Sequence, residues 1–271
     1  MITLARHRWS RLVTFLLASA FGGGVWGAEE SDADLAKAAQ NPLANMVSFP
    51  FQNNTNFDVG PNNRTQNVLN IQPVIPFKDG EIITRTIIPL VWQPIGASDS
   101  SFGFGDLTLT AFYSPPSGKH FVWGVGPVLT LPTGGSDRGT QKWGLGPSVV
   151  ALATPGPWVL GALANNVWSF AGDSSAPSVN FMTLQPFLNY NFPGFYLTFS
   201  PIITANWEAA SGEKWTVPLG LGIGKLLRVG SRGVPININA SAYDNVVKPD
   251  SGASWTLRIQ AALLLPTSVF K

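Results

Sequence analysis

From Val47 onward the chain alternates apolar with polar or small residues at a period of two. Between Phe195 and Trp207 one face carries Phe195, Leu197, Phe199, Pro201, Ile203, Ala205 and Trp207, and the other holds Thr198, Ser200, Thr204 and Asn206. Between Trp143 and Ala151 the odd positions are bulky or apolar and the even ones mostly small or polar. Such a period marks β-strands with one apolar face. Applied along the chain, the test predicts about twelve strands. They lie near 47–58, 65–77, 81–92, 103–114, 120–131, 141–153, 158–168, 178–191, 195–207, 215–227, 235–243 and 255–265. Each runs roughly 9–14 residues, where a soluble strand averages about 5–6 and a tilted membrane strand needs about 9–11. Length favours a membrane wall.

The connections alternate in size. Lys78 to Gly80, Pro115 to Lys119, Thr154 to Pro157, Phe192 to Gly194 and Arg228 to Val234 are mostly tight turns. Between them fall Val59 to Arg64, Gln93 to Phe102, Pro132 to Thr140, Ser169 to Pro177, Glu208 to Lys214 and Asp244 to Ser254, mostly longer and rich in Ser, Gly, Asp and Asn. Short turns on one rim and long loops on the other predict an all-β fold: a transmembrane antiparallel up-and-down barrel with both termini periplasmic. A soluble sandwich has no reason to sort its loops this way. One feature opposes the pattern. Pro73, Pro89, Pro127, Pro147, Pro186, Pro201 and Pro218 fall inside the strands, and a closed barrel has no free edge on which to place a missing N–H. Recurring bulges at these prolines are the expected accommodation.

Two segments precede the barrel. Arg6, Arg8 and Arg11 are followed by the apolar run Leu12 to Ala18 and then small residues, which reads as a secretory signal peptide over residues 1–27 with cleavage after Gly27. Residues 28–46 form an N-terminal periplasmic segment, helical from Ser31, with Asp32 or Asp34 as cap and Pro42 as terminator. The barrel then occupies 47–271. Composition agrees. Only 12% of the 271 residues are charged, about half the usual share, and there is no Cys to form a disulfide or a thiolate metal site. The formal net charge of +2 contains the three leader arginines, so the mature chain carries 14 basic against 15 acidic residues and offers no reason to expect a nucleic-acid partner.

A charge facing lipid at mid-membrane costs about 2–4 kcal/mol, so ionised and amide residues on the strands should point inward. Parity gives Arg85, Asp106, Lys142, Gln185, Asn189, Asn206, Asn237, Asn239, Arg258 and Gln260 as lumen-lining candidates. Both signs are present, which predicts no strong ion selectivity. Gly124 and Gly126, Gly144 and Gly146, and Gly220, Gly222 and Gly224 share the lumen face, where small residues leave room for bulky neighbours, a plug or a channel. They lack the strand, turn and helix context of a phosphate loop. Aromatic residues near strand ends, among them Trp92, Trp123, Trp158, Trp207, Trp215 and Trp255, predict two interfacial girdles in contact with outer-membrane lipid.

Catalytic chemistry has little to work with. His7 leaves with the leader, and His120 stands on a short turn with no nearby Ser, so neither a Ser-His-acid hydrolase nor a metal centre is expected. Asp99, Asp137, Asp173 and Asp250 sit in separate loops and read as solvated charges. No cofactor is expected.

The stretches Asn41 to Asn54, Asn67 to Phe77 and Phe102 to Asp106 resemble a family of secreted bacterial proteins regarded as outer-membrane β-barrel transporters, grouped under the meta-pathway of phenol degradation and sometimes mislabelled neuromedin U. The resemblance covers most of the mature chain. It implies barrel architecture and a transport role, and carries over no catalytic or ligand residues. The functional expectation is a passive outer-membrane channel or facilitated transporter for small, hydrophobic or aromatic molecules, with residues 28–46 as gate or cap. The alternative is a closed structural barrel whose long loops bind a partner or surface lipid. A barrel-embedded lipid enzyme is disfavoured by the single mature histidine. Neither the solute nor the oligomeric state follows from the sequence.

Overall fold

The structure, a computed structural model, describes residues 31–265 other than 117, 119, 120 and 232, together with Thr267. The signal-peptide assignment and His120 lie outside the described residues. Helix α1 spans Asp32–Ala39. Its cap is Ser31, not either aspartate: Ser31 is extended, and its Oγ accepts from the Asp34 N–H at 3.2 Å. Asp32 and Asp34 occupy the first turn and Lys37 the last, each at the end of the helix dipole that suits its charge. The helix stops at Ala39, two residues earlier than Pro42 would require, because a residue preceding proline is itself driven out of the helical region.

Fifteen extended segments follow, and three pairs of them continue one another across short interruptions to make twelve strands. These are β1 (Val47–Val59), β2 (Arg64–Ile71 and Val74–Phe77), β3 (Ile82–Ile95), β4 (Asp99–Phe104 and Leu107–Tyr113), β5 (Phe121–Leu131) and β6 (Lys142–Ala153). The second half comprises β7 (Trp158–Gly172), β8 (Asn180–Phe192), β9 (Phe195–Phe199 and Ile203–Asn206), β10 (Trp215–Val229), β11 (Val234–Val247) and β12 (Trp255–Leu265). Each pairs antiparallel with its sequence neighbours. β1 also pairs with β12, from Val47 opposite Leu265 to Phe57 opposite Trp255, which closes the sheet into a barrel. Closure leaves no edge strand whose N–H and C=O groups would face lipid.

The prolines are accommodated mainly by gaps, not by the expected bulges. Across Pro73 the β1–β2 register continues, with Phe51 opposite Ile71 and Ser48 opposite Val74. Across Pro201 the β8–β9 register likewise continues, from Leu188 opposite Phe199 to Leu184 opposite Ile203. Pro127 and Pro147 are cross-strand partners, and the ladders on their far sides skip without losing register. Each of these two follows a glycine, and that glycine admits the neighbouring carbonyl. A Cβ on Gly126 would lie 1.7 Å from the Ala111 oxygen, and one on Gly146 would lie 1.7 Å from the Asn166 oxygen. True register shifts occur at Pro218, at Gly105-Asp106 opposite Pro89, and at two places away from these prolines, near Asp58 and at Trp143-Gly144.

The outer surface is apolar at mid-height, where Leu145, Val149, Leu197, Leu221, Ile223 and Ile259 are exposed. Rings cluster at both ends. Phe57 stacks on Trp255, Trp92 meets Phe102 at a tilt, and Trp207 meets Trp215 edge-on at the long-loop rim, while Trp158, Tyr190, Phe192 and Phe195 form a chain of contacts at the short-turn rim. Leu221, 64% exposed midway along β10, gives the direct test of this surface. Leu221→Arg is expected to lower folding stability in lipid vesicles by about 2–4 kcal/mol, read from urea titrations followed by heat-modifiable gel migration.

Candidate functional site

The interior is filled unevenly. One side is an apolar cluster of Ile83, Phe112, Val150, Leu152, Val159, Leu163 and Phe187, and into it the N-terminal segment inserts Leu43. Gly124 makes the room: a Cβ there would stand 3.1 Å from a Leu43 methyl. The segment is pinned around the short-turn rim. Lys37 Nζ donates to the Gly156 carbonyl at 2.7 Å, Gln40 Nε2 to Asn191 Oδ1 at 2.8 Å, and Arg228 pairs with Asp32 at 2.7 Å. Residues 38–46 therefore form an inner floor against one side of the barrel.

The other side holds a cavity of about 170 Å³, roofed and walled by polar side chains from β1, β2, β3, β8, β9, β11 and β12. Strand β10 makes this possible through what it lacks. A Cβ on Gly224 would meet Tyr196 Cζ at 2.2 Å, and one on Gly222 would meet Ser241 Oγ at 1.9 Å, so β10 presents bare backbone over which neighbouring strands reach each other. Asn237 Nδ2 donates to the Tyr196 hydroxyl at 2.9 Å across this gap. Arg258 Nη1 crosses to the Ser200 carbonyl at 2.8 Å, its Nε donates to Asn54 Oδ1 at 2.9 Å, and its guanidinium lies 4.9 Å from the centre of the Tyr243 ring, within cation–π range. Ser200 is free to accept because the Pro201 interruption removes its carbonyl from the ladder. Arg85 Nη2 donates to Gln72 Oε1 at 2.5 Å, beside the Pro73 interruption. Gln185 Nε2 donates to Ser200 Oγ at 2.9 Å.

Of the ten residues singled out by parity, Arg85, Gln185, Asn189, Asn237, Asn239, Arg258 and Gln260 line this one cavity. The other three stand at the long-loop rim. Asp106 occupies the β4 bulge and holds the 132–140 loop, accepting from Gly134 N–H at 3.0 Å and from Thr140 N–H and hydroxyl at 2.6 and 2.7 Å. Lys142 donates to the Asp173 carbonyl at 2.5 Å, and Asn206 Oδ1 accepts from the Glu208 N–H at 3.2 Å. The cavity's ionised lining is thus of one sign, Arg85 and Arg258.

The 132–140 loop folds inward. Gly103 lies between the outward rings of Phe102 and Phe104, so its vacant Cβ position faces the lumen, and the Arg138 guanidinium sits 3.0 Å from that position. Arg138 pairs with Asp137 at 2.8 Å. A hydrogen bond from the Ser101 hydroxyl, then one from Arg138, holds the Asp137 carboxyl below its ordinary range, so ionised Asp137 favours the docked loop. Among the described residues no three His, Cys, Asp or Glu side chains converge on a metal position.

Sequence reasoning passed over Tyr196 and Tyr243, which was avoidable: Tyr196 shares the parity of Thr198 and Ser200, and Tyr243 that of Ser241 and Asn239. The inward Arg138 had no signal, because its position depends on a loop conformation.

Residues 50–195 match the family described as "Putative MetA-pathway of phenol degradation". No curated protein matches. Among solved structures, an outer membrane channel from Pseudomonas putida F1 is similar over 81% of this chain and 95% of its own, at 16% identity and a TM-score of 0.58. The NanC porin is similar over 82% of this chain and 98% of its own, at 9% identity and a TM-score of 0.50. At such identities these likenesses establish the barrel fold.

The Tyr196–Asn237 pair tests whether the polar half is a satisfied network. Tyr196→Phe is expected to lower stability by about 1–3 kcal/mol, because it strands the amide of Asn237, which is 2% exposed. Adding Asn237→Leu should recover most of the loss in the same urea titration.

Proposed function

Since the chain belongs to the phenol-degradation MetA-pathway family, which its residues 50–195 match, we propose that it is a passive outer-membrane channel for small, aromatic or hydrophobic molecules, exported by a cleavable leader over residues 1–27. The observation that carries this reading is the means of closure. The barrel wall encloses a polar cavity, and what blocks the short-turn side is residues 32–46, a segment of chain lying inside the wall rather than part of it. Its attachments are few: the Lys37, Gln40 and Arg228 contacts at the rim and the buried Leu35 and Leu43. Burial of a leucine contributes about 1.5–3 kcal/mol, and polar contacts of this kind about 0–1 kcal/mol each. Displacing the segment breaks these contacts alone, and the barrel does not need to open its hydrogen-bonded wall.

Short turns and both ends of the described chain share one rim, which this reading places in the periplasm; the inward 132–140 loop then lies toward the outside. Lipid is the surrounding partner.

Deletion of residues 32–46 is expected to raise single-channel conductance in planar bilayers several-fold. The chain has no Cys, so Gln40→Cys with Asn191→Cys can be joined cleanly by a short bis-thiol reagent, and the joined protein should conduct less than the unjoined one. Absence of ion or solute flux from the deletion variant would instead favour a closed structural barrel.

A further inference from the structure

The cavity carries an electrostatic imbalance. Arg85 and Arg258 both line it, no Asp or Glu does, and among the described residues the ion pairs are Arg138 with Asp137 and Arg228 with Asp32. Both inward guanidiniums are held by neutral acceptors, Gln72, Asn54 and the Ser200 carbonyl. Neutral acceptors orient a guanidinium without cancelling its charge. Arg258 is 7% exposed, and a buried charge is ordinarily paired.

A second observation points into the same space. Asn189 Oδ1 and the Tyr243 hydroxyl are buried without a hydrogen-bond partner, in side chains that line the cavity. Such atoms are few in folded proteins, and each calls for an explanation. Water can satisfy both, but it brings no charge and leaves the two arginines uncompensated. The missing occupant is therefore an anion that also donates a hydrogen bond. Size adds a limit: roughly 150 Å³ is enough to admit benzene, and the cavity measures about 170 Å³. Phe187, Tyr196 and Tyr243 are the aromatic side chains of its lining.

We infer that this cavity binds a single-ring aromatic carboxylate bearing a hydroxyl group. The carboxylate is drawn by Arg85 and Arg258, the hydroxyl donates to Asn189 Oδ1, and the ring lies among Phe187, Tyr196 and Tyr243. Charge-assisted bonds between guanidinium and carboxylate are roughly twice as strong as neutral ones, so the carboxylate supplies most of the selectivity. This inference rests on reading the lumen as a solute path and names the solute class.

The test is isothermal titration calorimetry of the full mature chain in detergent with 4-hydroxybenzoate, benzoate and phenol. 4-Hydroxybenzoate should bind at least about tenfold more tightly than phenol, with benzoate between them. Arg85→Gln and Arg258→Gln should each remove about tenfold of the 4-hydroxybenzoate affinity and leave phenol unchanged. Arg258 also ties β12 to β1 and β9, so heat-modifiable migration checks that its variant folds; Arg85→Gln and the comparison of ligands on the native chain decide the matter if it does not. Equal binding of phenol and 4-hydroxybenzoate, or indifference to Arg85→Gln, would overturn the inference. The two readings fail separately. Flux through the 32–46 deletion without carboxylate preference sinks the anion site and keeps the channel, whereas preference without flux keeps the site and sinks transport.

Discussion

The pairing of β1 with β12 governs the rest of the molecule. Once the sheet closes, every backbone N–H and C=O at membrane depth must find its partner within the wall or on its inner face. Each proline in such a wall is a missing donor, and the wall answers with gaps in the ladder at Pro73, Pro127, Pro147 and Pro201 and with register shifts at Pro218 and opposite Pro89. A gap frees a carbonyl as well as removing an amide. The Ser200 carbonyl, before Pro201, receives Arg258, and beside Pro73 it is the side-chain oxygen of Gln72 that receives Arg85. The two breaks that weaken the ladder are the two places where the inner charges are anchored. At Gly126-Pro127 and Gly146-Pro147 the freed carbonyl is absorbed differently, by packing on a glycine that has no Cβ to repel it.

Glycine performs a related task along β10. A strand with side chains at 220, 222 and 224 would separate β9 from β11 and β12 across the lumen. With glycine there, two polar crossings pass over the strand, Tyr196 with Asn237 and Arg258 with the Ser200 carbonyl. The opposite half of the barrel contains no such polar crossing and takes Leu43 instead. Division into an apolar half that seats the N-terminal segment and a polar half that remains partly empty follows from where small and large inward residues fall.

Much of this was legible in the residues. Twelve strands follow from a period of two because one face meets lipid and tolerates no ionised group, a constraint strong enough to be visible in each segment separately. Tyr196 and Tyr243 were legible by the same parity. Asp106 was not, because a single extra residue at Gly105-Asp106 reverses the parity of β4: Phe102 and Phe104 face outward, and so do Leu109 and Tyr113. Periodicity has no means of placing a one-residue shift. Nor can it tell a carboxylate that lines a pore from one that accepts three hydrogen bonds from a loop folded over it. The ionised lining of the cavity, Arg85 and Arg258, is of one sign for that reason.

What distinguishes this interior from a filled barrel is that its polar half is satisfied almost everywhere except at the cavity. A side-chain network that is only partly satisfied is less stable than an apolar filling of the same volume. Leucine at 189 and phenylalanine at 243 would remove the two unpartnered atoms, and the apolar cluster on the other side shows that this sequence can fill its barrel in that way. Two unopposed arginines beside two unpartnered polar atoms have a physical use only when something else enters to complete them. The N-terminal segment does not, since Leu43 lies in the apolar half and the lining that the segment gives the cavity contains no carboxylate. None of the described residues completes them, and the proposed carboxylate would.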